Sequence, residues 1–337
     1  MGKWIFSKKN FTYHKKQQSK YVEAKLFILR YLPNSMPKIL LTGGAGFIGS
    51  HLLDFLAESK DNQIAVIDNF YKGSIKNVNH HLKNRNVSII KGDIRNFSTL
   101  KKIGNVDEIY HLAAQSNVMG SLKDPDYSFS SNIIGTYNVL KYAESCNAKK
   151  VLFSSSREVY GNPMHLPVDE NHPLNPLNLY GSTKAAGEML CKSFAQSKNM
   201  DIRIVRITNT YGTRDIGRVI PIFFAKAAKN QDFEIFGGNQ ILDFIWVRDV
   251  VEGIKIVSGS GKYKKETVNL GSGKGILIND LAKLIIKLTN SKSRIIRRFS
   301  RSFEVSSYIA SSNKINLRAT PISKGLMLLH RELQKSG

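Results

Sequence analysis

Tyr180 and Lys184 stand four residues apart in an apolar-periodic stretch, which sets them on one face of a helix. A phenol has a pKa near ~10, too high for a base at neutral pH. A nearby ammonium favours the phenolate and lowers that value. Upstream, Ser154-Ser155-Ser156 ends a β-branched run, and Ser156 can hold a substrate oxygen in line with the phenol. Together they suit one chemistry: a base takes a hydroxyl proton while hydride leaves the same carbon. A Tyr and a Lys at this spacing are a common accident on helices, so the elements around them decide.

Hydride chemistry needs a carrier. Gly43-Gly44-Ala45-Gly46-Phe47-Ile48-Gly49 follows the apolar run Ile39-Leu40-Leu41 and opens an apolar-periodic stretch from Phe47 to Leu56. The pattern reads as strand, tight glycine turn, helix. Glycine serves where backbone turns sharply and approaches a ligand. The new helix then points its free N–H groups and positive dipole end at a phosphate. A second strand, Ile64-Ala65-Val66-Ile67, ends in Asp68, at the distance the dinucleotide fingerprint requires. Asp68 is placed to accept from both ribose hydroxyls of an adenosine and to repel a 2′-phosphate, so the expected cofactor is NAD. Asp93-Ile94 ends the next strand; Asp93 either cradles the adenine or caps a helix. In His111-Leu112-Ala113-Ala114-Gln115-Ser116, small Ala113 and Ala114 let the chain approach a cofactor, or simply pack tightly.

The elements that position these residues alternate. Short β-branched runs recur at 39–42, 64–68, 87–90, 106–112, 149–155 and 202–207, with helical patterns such as Tyr127 to Cys146 and Tyr180 to Ser197 between them. Alternation of this kind predicts an α/β fold, a doubly wound Rossmann-type parallel sheet covered on both faces. After about residue 210 the regularity loosens. Pro221 to Lys229, Arg248 to Val257 and Asn279 to Thr289 read as helices of a smaller lobe over the carboxyl ends of the strands. The expected division is a basic extension over 1–35, a NAD-binding domain carrying the catalytic residues over 36–210, and a mainly substrate-binding lobe over 211–337.

The net charge of +24 is concentrated at the two ends, and the motif-rich middle is nearly balanced. Such ends suit nucleic acid or an anionic membrane, but a solvated surface is the preferred reading at the N-terminus; at the C-terminus a basic lining for an anionic substrate stands level with such contact, and for the chain as a whole nucleic acid is not an expected partner. Residues 1–35 lack a secretory pattern, although Tyr21 to Leu32 suits one short basic amphipathic helix. Cys146 and Cys191 form no disulfide framework and no metal-ligand spacing, so no metal is expected and a reducing, cytoplasmic setting is. No apolar run approaches the ~20 residues that span a bilayer.

As an ordered set, the motifs resemble the extended short-chain dehydrogenase/reductase family, specifically its NAD-dependent nucleotide-sugar epimerases and dehydratases. They run Thr42 to Ser50, Asp68-Asn69, Gly92-Asp93-Ile94, His111 to Gln115, Ser154 to Ser156, Val159-Tyr160-Gly161, Tyr180 to Lys184, and Asn209-Thr210-Tyr211-Gly212. The resemblance is strong from about Lys38 to Gly271. It implies catalytic Ser156, Tyr180 and Lys184. It also implies a cofactor site at Gly43, Gly46, Phe47, Ile48, Gly49, Asp68, Asn69, Asp93, Ile94, Ala113 and Ala114, completed by Tyr180 and Lys184. The implied substrate is a nucleotide-diphosphate sugar, with Asn209 near the pyrophosphate, Val219-Ile220-Pro221 near the base and Arg301 as a phosphate contact. Family members are often homodimers through a four-helix contact, and they serve nucleotide-sugar metabolism such as cell-surface polysaccharide biosynthesis.

Two departures bear on the substrate. The family usually carries an arginine just before Asp243-Phe244 to grip a phosphate, and this chain has Leu242. Arg214, Arg218 or another base compensates on this reading. Family 4,6-dehydratases carry Thr-Asp-Glu where this chain has Ser156-Arg157-Glu158, so the dehydratase acid is missing. Epimerisation needs only Ser, Tyr, Lys and NAD. The expectation is therefore 4-epimerisation of a UDP-hexose through a 4-keto intermediate. Dehydration or decarboxylation is the alternative, and a non-catalytic binding relative the third reading.

Overall fold

The structure is a computed structural model that describes residues 36–300 and 305–336. The extension over 1–35, its expected short helix and Arg301 lie outside the described residues. The first half of the chain alternates strand and helix. It runs β1 (Lys38–Thr42), α1 (Phe47–Leu56), β2 (Gln63–Asp68), β3 (Val87–Lys91), α2 (Phe97–Lys101) and β4 (Glu108–His111). Then follow α3 (Val118–Lys123), α4 (Pro125–Phe129), α5 (Gly135–Ser145), β5 (Lys150–Ser156), α6 (Leu179–Ser197) and β6 (Ile202–Ile207). A π-helical segment, Ser130–Ile134, joins α4 to α5, so the expected helix from Tyr127 is continuous but locally widened.

The second half contributes β7 (Asn209–Tyr211), α7 (Val219–Ala227), β8 (Phe233–Phe236), β9 (Ile241–Trp246) and α8 (Val247–Gly259). It ends with β10 (Thr267–Leu270), β11 (Gly275–Leu277), α9 (Ile278–Thr289), β12 (Ile295–Arg298), β13 (Ser307–Tyr308) and α10 (Ile322–Ser336).

Seven strands form one sheet in the order β10-β6-β5-β4-β1-β2-β3, with every neighbouring pair parallel. Residue alternation explains how both faces are buried. Ile39 and Leu41 of β1 and Ile64 and Val66 of β2 face a cluster with Leu52, Leu53 and Leu56 of α1 and Val250, Ile254 and Val257 of α8. Leu40, Ala65 and Ile67 point the other way, onto Leu100, Val139, Leu140 and Cys191. The chain does not divide cleanly at residue 210, because α8 and β10 return to the large sheet. A strand edge there offers apolar surface that only a further strand and helix can bury.

The remaining lobe has its own core of Phe223, Phe224, Phe233, Trp246, Leu281 and Leu326. It contains the β11-β9-β13 sheet with β7 paired to β9, and a separate β12-β8 ribbon. Strand order reverses between β1 and β4, opening a crevice outside their carboxyl ends.

Candidate active site

A cavity of about 630 Å³ fills that crevice. Its floor is the glycine loop. Gly43 has φ +73°, and a Cβ there would lie 2.7 Å from the Ala113 nitrogen. A Cβ on Gly49 would lie 2.2 Å from the Gly43 carbonyl oxygen. Side chains are therefore excluded where the loop, the β4 terminus and α1 converge. Gly46 occupies the N-cap of α1, and no side chain caps that helix. Its first N–H groups are left for a ligand phosphate.

The carboxyl end of β2 completes this wall. Asp68 accepts from Ala45 N at 3.0 Å on Oδ2 and from Phe70 N at 2.8 Å on Oδ1. Burial raises its pKa, and the two backbone hydrogen bonds oppose that rise. Each oxygen keeps a lone pair for a ribose hydroxyl. Gly43, Gly46, Phe47, Ile48, Gly49, Asp68, Asn69, Ile94, Ala113 and Ala114 all line the cavity.

Asp93 does not line it, and it caps no helix either; Asn96 is the N-cap of α2. Its carboxylate is held by Arg95 at 2.7 Å and accepts from Asn69 Nδ2 at 3.0 Å. Burial opposes ionisation, but these bonds outweigh it and bring the pKa to about 2. Asp93 thus holds Asn69, which lines the cavity, and Arg95. Lys72 and Tyr127, which carry no motif signal, do line the cavity. Desolvation, then the charge of Arg218, lowers Lys72 to about 8.

The catalytic candidates converge at the far end. Asn178 caps α6, accepting from Gly181 N at 2.9 Å. The next turns carry Tyr180 and Lys184 onto the carboxyl end of β5, and both line the cavity with Ser156. Burial lifts the Tyr180 phenol to about 12; hydrogen bonding from Ser156 and the charges of Arg218 and Arg157 pull against it. Lys184 lies one turn further along α6. Its ammonium donates to the Ser154 carbonyl at 2.7 Å, and desolvation lowers it to about 8.

Beneath the site the elements are tied together. Thr183, between Tyr180 and Lys184, accepts from Asn132 Nδ2 at 2.9 Å. Asn132 also holds the chain after β4, accepting from Gln115 N at 2.7 Å. It belongs to the π-helical segment, a distortion that re-aims side chains at functional sites. His111 lies between Thr42 at 2.7 Å and Thr136 at 3.0 Å. Thr136 donates its proton to Asn132 O, so it accepts from Nε2–H, and Nδ1 accepts from Thr42. Burial, with the Lys184 charge second, lowers His111 to about 3, and the imidazole is neutral. Glu188 pairs with Arg206 through both oxygens, and Arg206 Nη1 donates to Tyr160 at 2.7 Å.

The substrate side is less regular. Asn209 and Val219 line the cavity with Ile220. Leu242 packs beside Tyr308 in an apolar cluster with Val159 and Tyr160, so it brings no charge. Arg214 and Arg218 both line the cavity, but Arg214 pairs with Asp54 at 2.8 Å and Arg218 with Asp215 at 2.7 Å. Arg157 and Glu158 form a buried pair at 2.7 Å. Glu158 also accepts from Asn178 Nδ2 at 2.9 Å, which makes it a support for the α6 cap.

Residues 39–271 match the model of the NAD dependent epimerase/dehydratase family. The "Putative UDP-glucose 4-epimerase" of Methanocaldococcus jannaschii is 39% identical over 73% of this chain and 81% of its own length. UDP-glucuronic acid decarboxylase 4 of Arabidopsis thaliana is 34% identical over 78% of this chain, which spans 60% of that protein. Among solved structures, the UDP-glucose 4-epimerase of Thermotoga maritima with UDP-glucose superposes with a TM-score of 0.83 at 29% identity. That match covers 89% of this chain and 99% of the other.

Proposed function

This chain belongs to the NAD-dependent epimerase/dehydratase family, and we propose that within it the protein is a nucleotide-sugar 4-epimerase acting on a UDP-hexose. NAD is the cofactor. Its phosphates suit the uncapped start of α1, and its adenosine ribose suits Asp68. Bound NAD supplies a reversible hydride acceptor beside the sugar. The chain's own groups do the rest. Tyr180, as phenolate, takes the proton of the C4 hydroxyl and later returns it. Ser156 holds that oxygen in line with the phenol. Rotation of the 4-keto sugar within the cavity would present its other face for the returning hydride.

The observation that carries this reading is the convergence of Ser156, Tyr180 and Lys184 on one wall of the cavity that the glycine loop floors. Arg157 favours epimerisation over 4,6-dehydration, since a guanidinium cannot act as the acid that elimination needs. The likeness to a UDP-glucuronic acid decarboxylase keeps decarboxylation as the second reading. Incubation with UDP-glucose, UDP-galactose and their N-acetyl forms tests the proposal. Interconversion at C4 is expected; a 4-keto-6-deoxy or pentose product sinks it.

A homodimer through α5 and α6 belongs to the same proposal. Exposed Phe129, Ile134, Tyr137 and Met189 on and beside these helices support it. Sedimentation equilibrium checks it, with a monomer as the contrary result. Among the described residues no helix is long and apolar enough to cross a membrane.

A further inference from the structure

Arg157 lines the cavity and does not touch the reacting atoms in the reaction above. It follows Ser156 directly and is 8% exposed. Two of its nitrogens are engaged: Nη2 with Glu158 at 2.7 Å, and Nε donating to Asn209 Oδ1 at 3.4 Å. Nη1 has no hydrogen-bond partner among the described residues. The ring of Tyr308 lies 5.7 Å from the guanidinium carbon and covers it on one side. A buried donor left unpaired is costly, and a guanidinium is satisfied best by a carboxylate.

The charges on this wall point the same way. Arg157 and Lys184 are cationic, and Glu158 is the anion between Arg157 and Asn178. Both Glu158 oxygens are occupied, so the wall retains an uncompensated positive charge. The sugar's C4 hydroxyl is placed against Ser156 and Tyr180, so the neighbouring residue meets a substituent next to C4. On a hexose, one substituent there that can carry an anion is C6, oxidised to a carboxylate.

We propose that Arg157 is the specificity-determining residue of this chain, and that it selects a UDP-hexuronate by pairing with the sugar carboxylate. The inference rests on the 4-epimerase reading and narrows its substrate. Epimerisation leaves the C5–C6 bond intact. The C4 hydrogen leaves as hydride and the hydroxyl proton goes to Tyr180, and both return, so no net oxidation occurs. A 4-keto hexuronate is a β-keto acid, and loss of carbon dioxide disperses the carboxylate charge into the ketone. An ion pair with Arg157 keeps that charge localised and opposes the loss.

The test compares UDP-glucuronate, UDP-glucose and UDP-N-acetylglucosamine on NAD-loaded protein, by calorimetric Kd and by kcat/KM with product analysis. A charge-assisted contact predicts a preference for UDP-glucuronate over UDP-glucose of about 10- to 100-fold. Arg157→Met should collapse that ratio toward one, and Arg157→Lys should keep part of it. Ratios cancel a general loss of folded protein. The pair Arg157→Gln with Glu158→Gln also removes the guanidinium without stranding a buried carboxylate, and it should collapse the ratio equally. A wild-type ratio of one or less, preference for the N-acetyl sugar, or a ratio indifferent to Arg157 overturns the proposal. If UDP-glucuronate is preferred through Arg157 but a pentose forms, the specificity assignment stands and the epimerase reading falls. If UDP-glucose is epimerised and UDP-glucuronate is not bound more tightly, the reverse holds.

Discussion

The two walls of this cavity were built on different terms. The cofactor wall is made of backbone and strand ends: glycines that exclude side chains, an uncapped helix start, and Asp68 tied to the loop it faces. The sugar wall is made of side chains from separate elements, Arg157 after β5, Asn209 on β7, Arg218 before α7, most of them already paired with protein carboxylates or amides. A ligand common to a family is met by geometry that any sequence with those glycines repeats.

The sharpest way to break this comparison is at the shared group. Tyr180→Phe removes the base yet leaves both walls, so kcat should fall by about 10²- to 10⁴-fold while bound NAD is retained. Surviving turnover would remove the base assignment. The same variant provides a titration. In NAD-free protein the wild-type minus variant difference at the tyrosinate band should show a step near pH 12, because burial disfavours the phenolate. Cationic NAD+ favours the phenolate, so the step should move to lower pH when it binds. A step already near neutrality without cofactor contradicts the desolvated phenol.

Below both walls lies the Glu188–Arg206 pair, in which both side chains are almost fully buried. Glu188→Gln strands the guanidinium and should lower unfolding free energy by about 3–5 kcal/mol in denaturant titration. Loss of that size with the catalytic parameters of the remaining folded protein intact marks a brace for both walls. An effect under about 1 kcal/mol would show that this pair is replaceable. Next in size is Asp68→Ala. Charged hydrogen bonds contribute about 1.5–3 kcal/mol each, so Kd for NAD should rise about 10- to 100-fold, with discrimination against NADP reduced. An unchanged Kd would leave the cofactor wall resting on the glycine loop alone.

The unequal construction also explains what the sequence made legible. Gly43 to Gly49 and Asp68 form local patterns whose spacing is their function, so the cofactor site and the parallel sheet could be read directly. Asp93 stayed ambiguous because a carboxylate at a strand end looks alike whether it faces a ligand or binds neighbouring side chains such as Arg95 and Asn69. Lys72 and Tyr127 went unseen because folding alone brings them to the cavity. The return of β10 to the large sheet was hidden because a four-residue strand after a loose region carries little periodic signal. Leu242 read correctly as a missing charge, but its packing beside Tyr308, under the Arg157 guanidinium, is a three-dimensional fact.

The smallest predicted effect probes where the walls meet. Asn178 caps α6 through Gly181 N and donates to Glu158, so one side chain joins the catalytic helix to the turn that carries Arg157. Asn178→Ala removes the cap, which costs about 1 kcal/mol and should lower Tm by a few degrees. It also frees one Glu158 oxygen, which then pulls harder on Arg157. The guanidinium becomes less available to a substrate anion, so KM for the preferred sugar nucleotide should rise a few-fold while Kd for NAD stays constant. A matching loss in NAD affinity would mean that the cap positions Lys184 as much as Glu158, and that the two walls are one unit rather than two.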